Sequence, residues 1–369
     1  MKKIALVLVA AALICATSCS KKTAKAAKTT VKVAMVTDSG DITDQSFNQT
    51  TYQACKDYAE AHGLEFQYYK PAADSTADRV ASIDAAYQDG YNVIVLPGYL
   101  FGEAIVKVAK DYSDAKFIGL DIGEGDLGGT AVPANVFCAV YAEELPGFFA
   151  GYAAVKEGYR HLGFLGGMAV PAVVRYGYGF VQGANKAAEE LKVADQVTIE
   201  YVYGGQFYGD QTITAAMDGW YKNRGVEVVF ACGGAIWSSA CEAASKVGGK
   251  VIGVDVDQTA QINSYGEGMC VTSAMKGLSA TVNAALSAVQ AGKWDEYSGK
   301  IANLGLVSGS DLSVNYVGLP TDTWAMKNFS VNDYKKLVKD VFGKKVTVSN
   351  SIDKAPATTV KVNYYQNIK

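Results

Sequence analysis

Eighteen residues, VKVAMVTDSGDITDQSFN from Val31 to Asn48, contain the chain's most suggestive chemistry. An apolar run stops at Asp38, a Gly-containing turn follows, and Phe47 and Asn48 fall near a helix start. In an open α/β sheet, ligands bind beyond the carboxyl ends of the strands. A carboxylate, an aromatic ring and an amide gathered there suit a small polar ligand with a flat face. Singly, Asp38 reads as a turn or cap residue and Phe47 as core; their combination with Asn48 points to binding.

Other strand-terminal residues extend the pattern. Phe207 lies in GGQFYGD (204–210), a Gly-rich loop after an apolar run, where an aromatic gains little from core burial and is free to stack on a ligand. Gly233 and Gly234 end another run, and a missing side chain there lets a ligand approach the backbone. VIGVDVDQ (251–258) places Asp255 and Asp257 at a strand end. With no water-activating partner in the pattern, accepting hydrogen bonds from sugar hydroxyls is their simpler use. Lys276 closes a further strand and offers a cationic donor to the same cleft.

Short β-branched runs alternate with helix-period segments throughout. Strands are expected at 31–37, 64–69, 92–96, 116–121, 161–166, 197–203, 227–232, 251–254 and 270–274. Helices are expected at 47–60, 77–88, 102–112, 143–156, 179–191, 212–222 and 238–246. Such alternation is that of parallel, doubly wound sheets. The series is too long for one ordinary sheet and restarts after an extended segment at 135–141, so two Rossmann-like lobes with a cleft between them are expected. The boundaries place residues 31–138 and 257–300 in the N-terminal lobe, and 139–256 and 301–369 in the C-terminal lobe. In the tail, a helix at 331–342 and a strand near 358–364 should return to the second lobe.

Composition removes several classes. A net charge of −3 with scattered acids and bases gives no field for nucleic acid. Only His62 and His161 are present, which leaves little for zinc sites or His-based triads. Gly123-Glu124-Gly125-Asp126-Leu127-Gly128 fits G-x-G-x-x-G, but Gly129-Thr130-Ala131-Val132-Pro133 follow where a phosphate-binding helix should start. No Walker-type G-K-[ST] follows a Gly-rich loop. Neither a cofactor nor a metal is called for. Of seven cysteines, Cys55, Cys138, Cys232, Cys241 and Cys270 lie in the mature chain without a C-x-x-C pair, and are expected to be buried thiols.

The leader, MKKIALVLVAAALICATSC, has two lysines, an apolar stretch and small residues before Cys19. It reads as a secretory signal over residues 1–18. Ala16-Thr17-Ser18-Cys19 looks like a lipobox with Ala16 where Leu is usual, making Cys19 the expected lipidation site. SKKTAKAAKTT then completes a flexible tether over 19–30.

Taken in order, VTDSGDITDQSFNQ, AEELPGFFAGYAA, RHLGFLGGM, GFVQGA, VIGVDVDQ and TSAMK resemble the basic membrane protein family of lipoproteins, typified by a purine nucleoside receptor feeding an ATP-driven importer. The resemblance covers nearly the whole mature chain. It implies a type I periplasmic-binding fold, two lobes joined by a hinge, with no enzymatic activity. It implies that Phe47 and Phe207 sandwich a nucleobase of the inosine, guanosine or adenosine class, with Asp38 and Asn48 on its polar edge. Asp255 and Lys276 would hold the ribose, with Gly233, Gly234 and Asp121 as further contacts. The family often shows another Gly after the paired glycines, whereas Ala235 stands here. A monomer anchored by lipid on the extracytoplasmic face, delivering ligand to an ABC permease, is the expected setting. A sugar or signalling-molecule binder in the same fold is the alternative.

Overall fold

The computed structural model describes residues 30–38 and 40–369; the signal segment, Cys19 and most of the tether lie outside the described residues. Residues 31–369 form one compact unit built on two sheets. The first half supplies β1 (Lys32–Val36), α1 (Phe47–His62), β2 (Glu65–Tyr69), α2 (Thr76–Gln88), β3 (Val93–Pro97), α3 (Gly102–Val108), β4 (Lys116–Leu120) and β5 (Val136–Tyr141). There follow α4 (Glu144–Glu157), β6 (His161–Gly166), α5 (Pro171–Leu191), β7 (Thr198–Tyr203), α6 (Gln211–Gly219), β8 (Val228–Cys232), α7 (Trp237–Ser245), β9 (Lys250–Asp255), α8 (Thr259–Asn263) and β10 (Cys270–Lys276). The chain ends with α9 (Leu278–Ala291), β11 (Lys300–Leu304), β12 (Val317–Gly318), α10 (Val331–Phe342) and β13 (Lys361–Tyr364).

The first sheet has the order β11-β5-β4-β3-β1-β2, all parallel. The second runs β12-β10-β9-β8-β6-β7-β13, parallel except for β12. Helices cover both faces of a parallel sheet, so its central strands are apolar on both sides. β3 and β8 are accordingly buried at every residue. Order reverses beside β1 in one sheet and beside β6 in the other, creating a switch-point crevice at each carboxyl edge.

The lobes exchange chain differently from the expected boundaries. All of β5 belongs to the first sheet, so the first crossing follows Tyr141 rather than residue 138. β10, expected in the N-terminal lobe, pairs with β9 in the second sheet, Met275 opposite Asp255. β11, expected in the C-terminal lobe, pairs with β5 in the first sheet, Leu304 opposite Tyr141. The physical cause lies in α9, which was not anticipated: its Val282, Ala285 and Leu286 enter the first lobe's core beside Ala54 and Tyr58 of α1, carrying the chain back only after β10. From β12 onward the tail does join the second sheet, with β13 along β7.

Other local readings hold. Residues 123–130 turn without forming a helix. His62 closes α1 and His161 opens β6. Cys55, Cys138, Cys232, Cys241 and Cys270 are buried free thiols.

One helix pair in the second lobe is unusually close. An added Cβ on Gly147 or Gly151 of α4 would overlap the Tyr176 or Phe180 carbonyl, and one on Gly179 or Gly183 of α5 the Glu144 or Phe148 carbonyl. The two backbones therefore touch through four glycines.

Candidate functional site

A cleft of about 780 Å³ lies between the carboxyl edges of the two sheets. Asp38, Phe47, Asn48, Asp121, Phe207, Gly233, Gly234, Asp255 and Lys276 all line it. Topology explains the convergence: Asp38 follows β1, Asp121 follows β4, Gly233 follows β8, and Asp255 and Lys276 are the last residues of β9 and β10. Phe47 and Asn48 open α1, which the β1–α1 connection delivers to the same edge.

Asp44, unnoticed in the sequence, organises the first end. Its carboxylate accepts from the backbone N–H groups of Ser46, Asn48 and Gln49 at 2.9, 2.9 and 3.0 Å and from Asn48 Nδ2 at 3.2 Å. It thus satisfies the free amides of the helix start and fixes the Asn48 amide. The signal available in the sequence was an acid three residues before a helix. Asp38 accepts from the Gly40 N–H at 2.8 Å. Burial pushes its carboxyl up to about 6, the Gly40 N–H opposing and the Asp44 charge adding to the shift.

Charge concentrates at the other end. The Lys276 ammonium pairs with Asp121 and lies 3.6 Å from Asp255 and 3.8 Å from Glu143. It also sits 4.6 Å from the Phe47 ring centroid, over that ring. Burial works against its charge, but Asp121, Asp255 and Glu143 outweigh that and hold it protonated. Asp255 is shifted up by burial, with Lys276 and Ser46 opposing. Glu143 is fully buried and shifted up by burial and the Asp121 charge, while Arg175 Nε donates to it at 2.6 Å. Neither Glu143 nor Arg175 carried a sequence signal, since only the tertiary arrangement brings the hinge and α5 to Lys276.

Phe207 shows why the paired glycines are needed. An added Cβ on Gly167 or Gly233 would stand 2.5 or 2.9 Å from Phe207 Cδ1, and one on Gly234 would stand 2.5 Å from the Phe207 carbonyl oxygen. Gly233 has φ +136° and Gly234 φ +51°, conformations that L side chains rarely adopt. They seat the ring as well as exposing backbone to the cleft. Tyr99, Tyr176 and Tyr208, also missed, complete the aromatic lining.

The lobes touch directly across this site. Ser46 Oγ donates to Asp255 Oδ2 at 2.5 Å, Gln258 Nε2 to the Gln45 carbonyl at 3.0 Å, and Trp237 Nε1 to the Asp44 carbonyl at 3.3 Å. These contacts hold the two lobes together over the cleft. The cleft can enclose and orient a ligand.

Such a pair of lobes is shared with solute-binding proteins. An ABC transporter solute-binding protein from Aeropyrum pernix K1 superposes with a TM-score of 0.67 at 21% identity, over 86% of this chain and 87% of that one. The chain belongs to the Bmp family, ABC transporter substrate-binding proteins that are PnrA-like, which it matches over residues 31–347. It is 29% identical to the ABC transporter nucleoside-binding protein BmpA of Lactococcus lactis over 69% of this chain and 72% of that protein. Basic membrane protein B of Borreliella burgdorferi is 27% identical over 66% of this chain and 70% of its own length.

Proposed function

We propose that this substrate-binding protein captures nucleosides, purines preferred, between its lobes and delivers them to an ABC permease while held to the membrane by lipid on Cys19. The observation that carries the reading is the distribution of chemistry in one cleft: two half-buried phenylalanines, a carboxylate and an amide at one end, an ammonium among carboxylates at the other. In this reading Phe47 and Phe207 stack on the base, each aromatic contact contributing roughly 1–3 kcal/mol whatever the base. Asp38 and Asn48 select its edge. Asp255, Lys276 and Asp121 hold the ribose hydroxyls, helped by backbone at Gly233 and Gly234. Carboxylates outnumber the ammonium there, so a nucleoside is preferred to its phosphate esters. The name of the Lactococcus lactis relative agrees with this ligand class.

Binding requires no covalent step. Ligand favours the closed arrangement by contacting both lobes, and the permease reads closure. Among the described residues no helix is long and apolar enough to cross a membrane, so in this reading Cys19 supplies the attachment.

The test is calorimetry on the mature chain, unfolded and refolded to strip ligand, with purine and pyrimidine nucleosides and with ribose. Sub-micromolar binding of purine nucleosides without a ribose signal supports the proposal; silence with every nucleoside moves the site to a sugar or signalling ligand. Palmitate labelling of cells should mark the wild-type protein and be lost in Cys19→Ala.

A further inference from the structure

The segment after β13 lies outside the residues that match the Bmp family, which end at 347. It nevertheless reaches the loop that carries Phe207. Beyond Tyr364, the last residue of β13, the chain keeps following β7. The Tyr365 N–H donates to the Tyr201 carbonyl at 2.9 Å and the Ile368 N–H to the Tyr203 carbonyl at 2.9 Å. The Tyr365 and Ile368 side chains pack against the core cluster that holds Val202, Ile213 and Trp220. This path carries Lys369 past the end of β7 and onto the loop 204–210, whose Phe207 and Tyr208 line the cleft.

Lys369 meets that loop through its backbone and through its side chain. Its carbonyl oxygen lies over Gly205, which has φ +87° and where an added Cβ would stand 2.7 Å from that oxygen. Its ammonium donates to Gln206 Oε1 at 3.1 Å and pairs with Asp210. Gln206 is only 9% exposed, and its Nε2 donates to the Tyr208 carbonyl at 2.9 Å and to Asp210 at 3.0 Å. The amide therefore staples the loop across Phe207, and Lys369 donates to its oxygen. Losing a donor is most costly at a buried group. On its inner side Phe207 is held by its carbonyl, which accepts from the Ala235 N–H at 2.8 Å, and by Gly167 and Gly233 against the ring. The outer side of the loop is held by Lys369.

We infer that residues 365–369 brace the Phe207 loop in the conformation that meets ligand, with Lys369 a positioning residue that acts on Phe207 through Gln206. A loop held in its binding conformation before ligand arrives pays less ordering cost on binding. The brace comes from chain beyond the family match, so it adds to the shared two-lobed scaffold a device that stiffens one wall of the cleft.

The experiment compares the mature chain with Lys369→Ala, Lys369→Arg and a chain ending at Tyr365, each shown by its melting transition to be folded. Without ligand, hydrogen exchange should quicken at the amides of residues 204–210 in Lys369→Ala and in the shortened chain, while β6 and β8 keep their protection. Calorimetry with guanosine should show binding weakened about fivefold in Lys369→Ala and restored to within about twofold of wild type in Lys369→Arg. Added to Phe207→Ala, the same Lys369→Ala change should have little further effect, because the lysine acts through that ring. Unchanged exchange at 204–210 in both variants, or an equal loss of affinity with and without Phe207, overturns the proposal. The affinity arms rest on the nucleoside reading and the exchange arm does not. If wild type binds no nucleoside, that reading fails, and exchange alone decides the brace.

Discussion

Phe47 and Phe207 reach the cleft from opposite lobes, each half-buried, packed against its own lobe's core while lining the cleft. Removing one takes away stacking worth roughly 1–3 kcal/mol, so Phe47→Ala and Phe207→Ala should each weaken nucleoside binding about tenfold or more, measured on protein shown by its melting transition to be folded. Unchanged affinity in both, by calorimetry, would remove the base from between them. Asp38 carries a pH signature. Its carboxyl sits near 6 in the fold against an ordinary 3.8, so the folded state binds the extra proton between those values. The sign follows from linkage: that contribution to stability is present at low pH and is lost as pH rises through 6, above which the buried charge is a cost. Asp38→Asn, without ligand, should melt about 2–4 °C above wild type at pH 7.5, as expected for roughly 1 kcal/mol in a chain of this size. The difference should vanish near pH 4. Thermal scans at both pH values check it, and an equal difference at both would mean that Asp38 is solvated.

At the scale of elements, the α4 and α5 glycines show how a motif can be visible while its reason is not. AEELPGFFAGYAA and GFVQGA are conspicuous in the sequence, yet only the packed helices show that Gly147, Gly151, Gly179 and Gly183 let two backbones touch. Gly151→Ala or Gly183→Ala should cost about 1–3 kcal/mol of stability, the usual penalty for overfilling a packed contact. Denaturant unfolding measures this, and a neutral result would mean that the helices separate freely. Strand placement followed the same division. Nearly all expected strands exist within one or two residues of their bounds, because apolar runs report burial. Which sheet β10 and β11 join was not legible, because pairing depends on where α9 packs.

For the molecule as a whole, closure rests on a few hydrogen bonds between lobes. Ser46 is buried and its hydroxyl meets the buried Asp255 carboxylate. A hydrogen bond to a charged group contributes about 1.5–3 kcal/mol. Ser46→Ala should therefore shift the ligand-free protein toward an open form and weaken nucleoside binding about tenfold or more, with the base preference unaltered. Small-angle scattering would show the larger radius of gyration without ligand and its recovery with saturating guanosine. Equal radii and equal affinity would mean that this bond does not hold the lobes together.

The alternating elements, the two-lobed architecture and nine residues that line the cleft were legible in residue order, because strand ends and helix starts are local features and ligands in α/β sheets gather at them. Tertiary structure alone decided that Gly233 and Gly234 seat Phe207, that Glu143 and Arg175 join Lys276, and that the Asn48 amide is turned by Asp44 to leave an acceptor unpartnered. These depend on contacts between residues far apart in the chain, or on the direction in which a side chain is held. Neither is encoded in the spacing of residue types; both follow from how the two sheets and the helix between Phe47 and His62 come together in space.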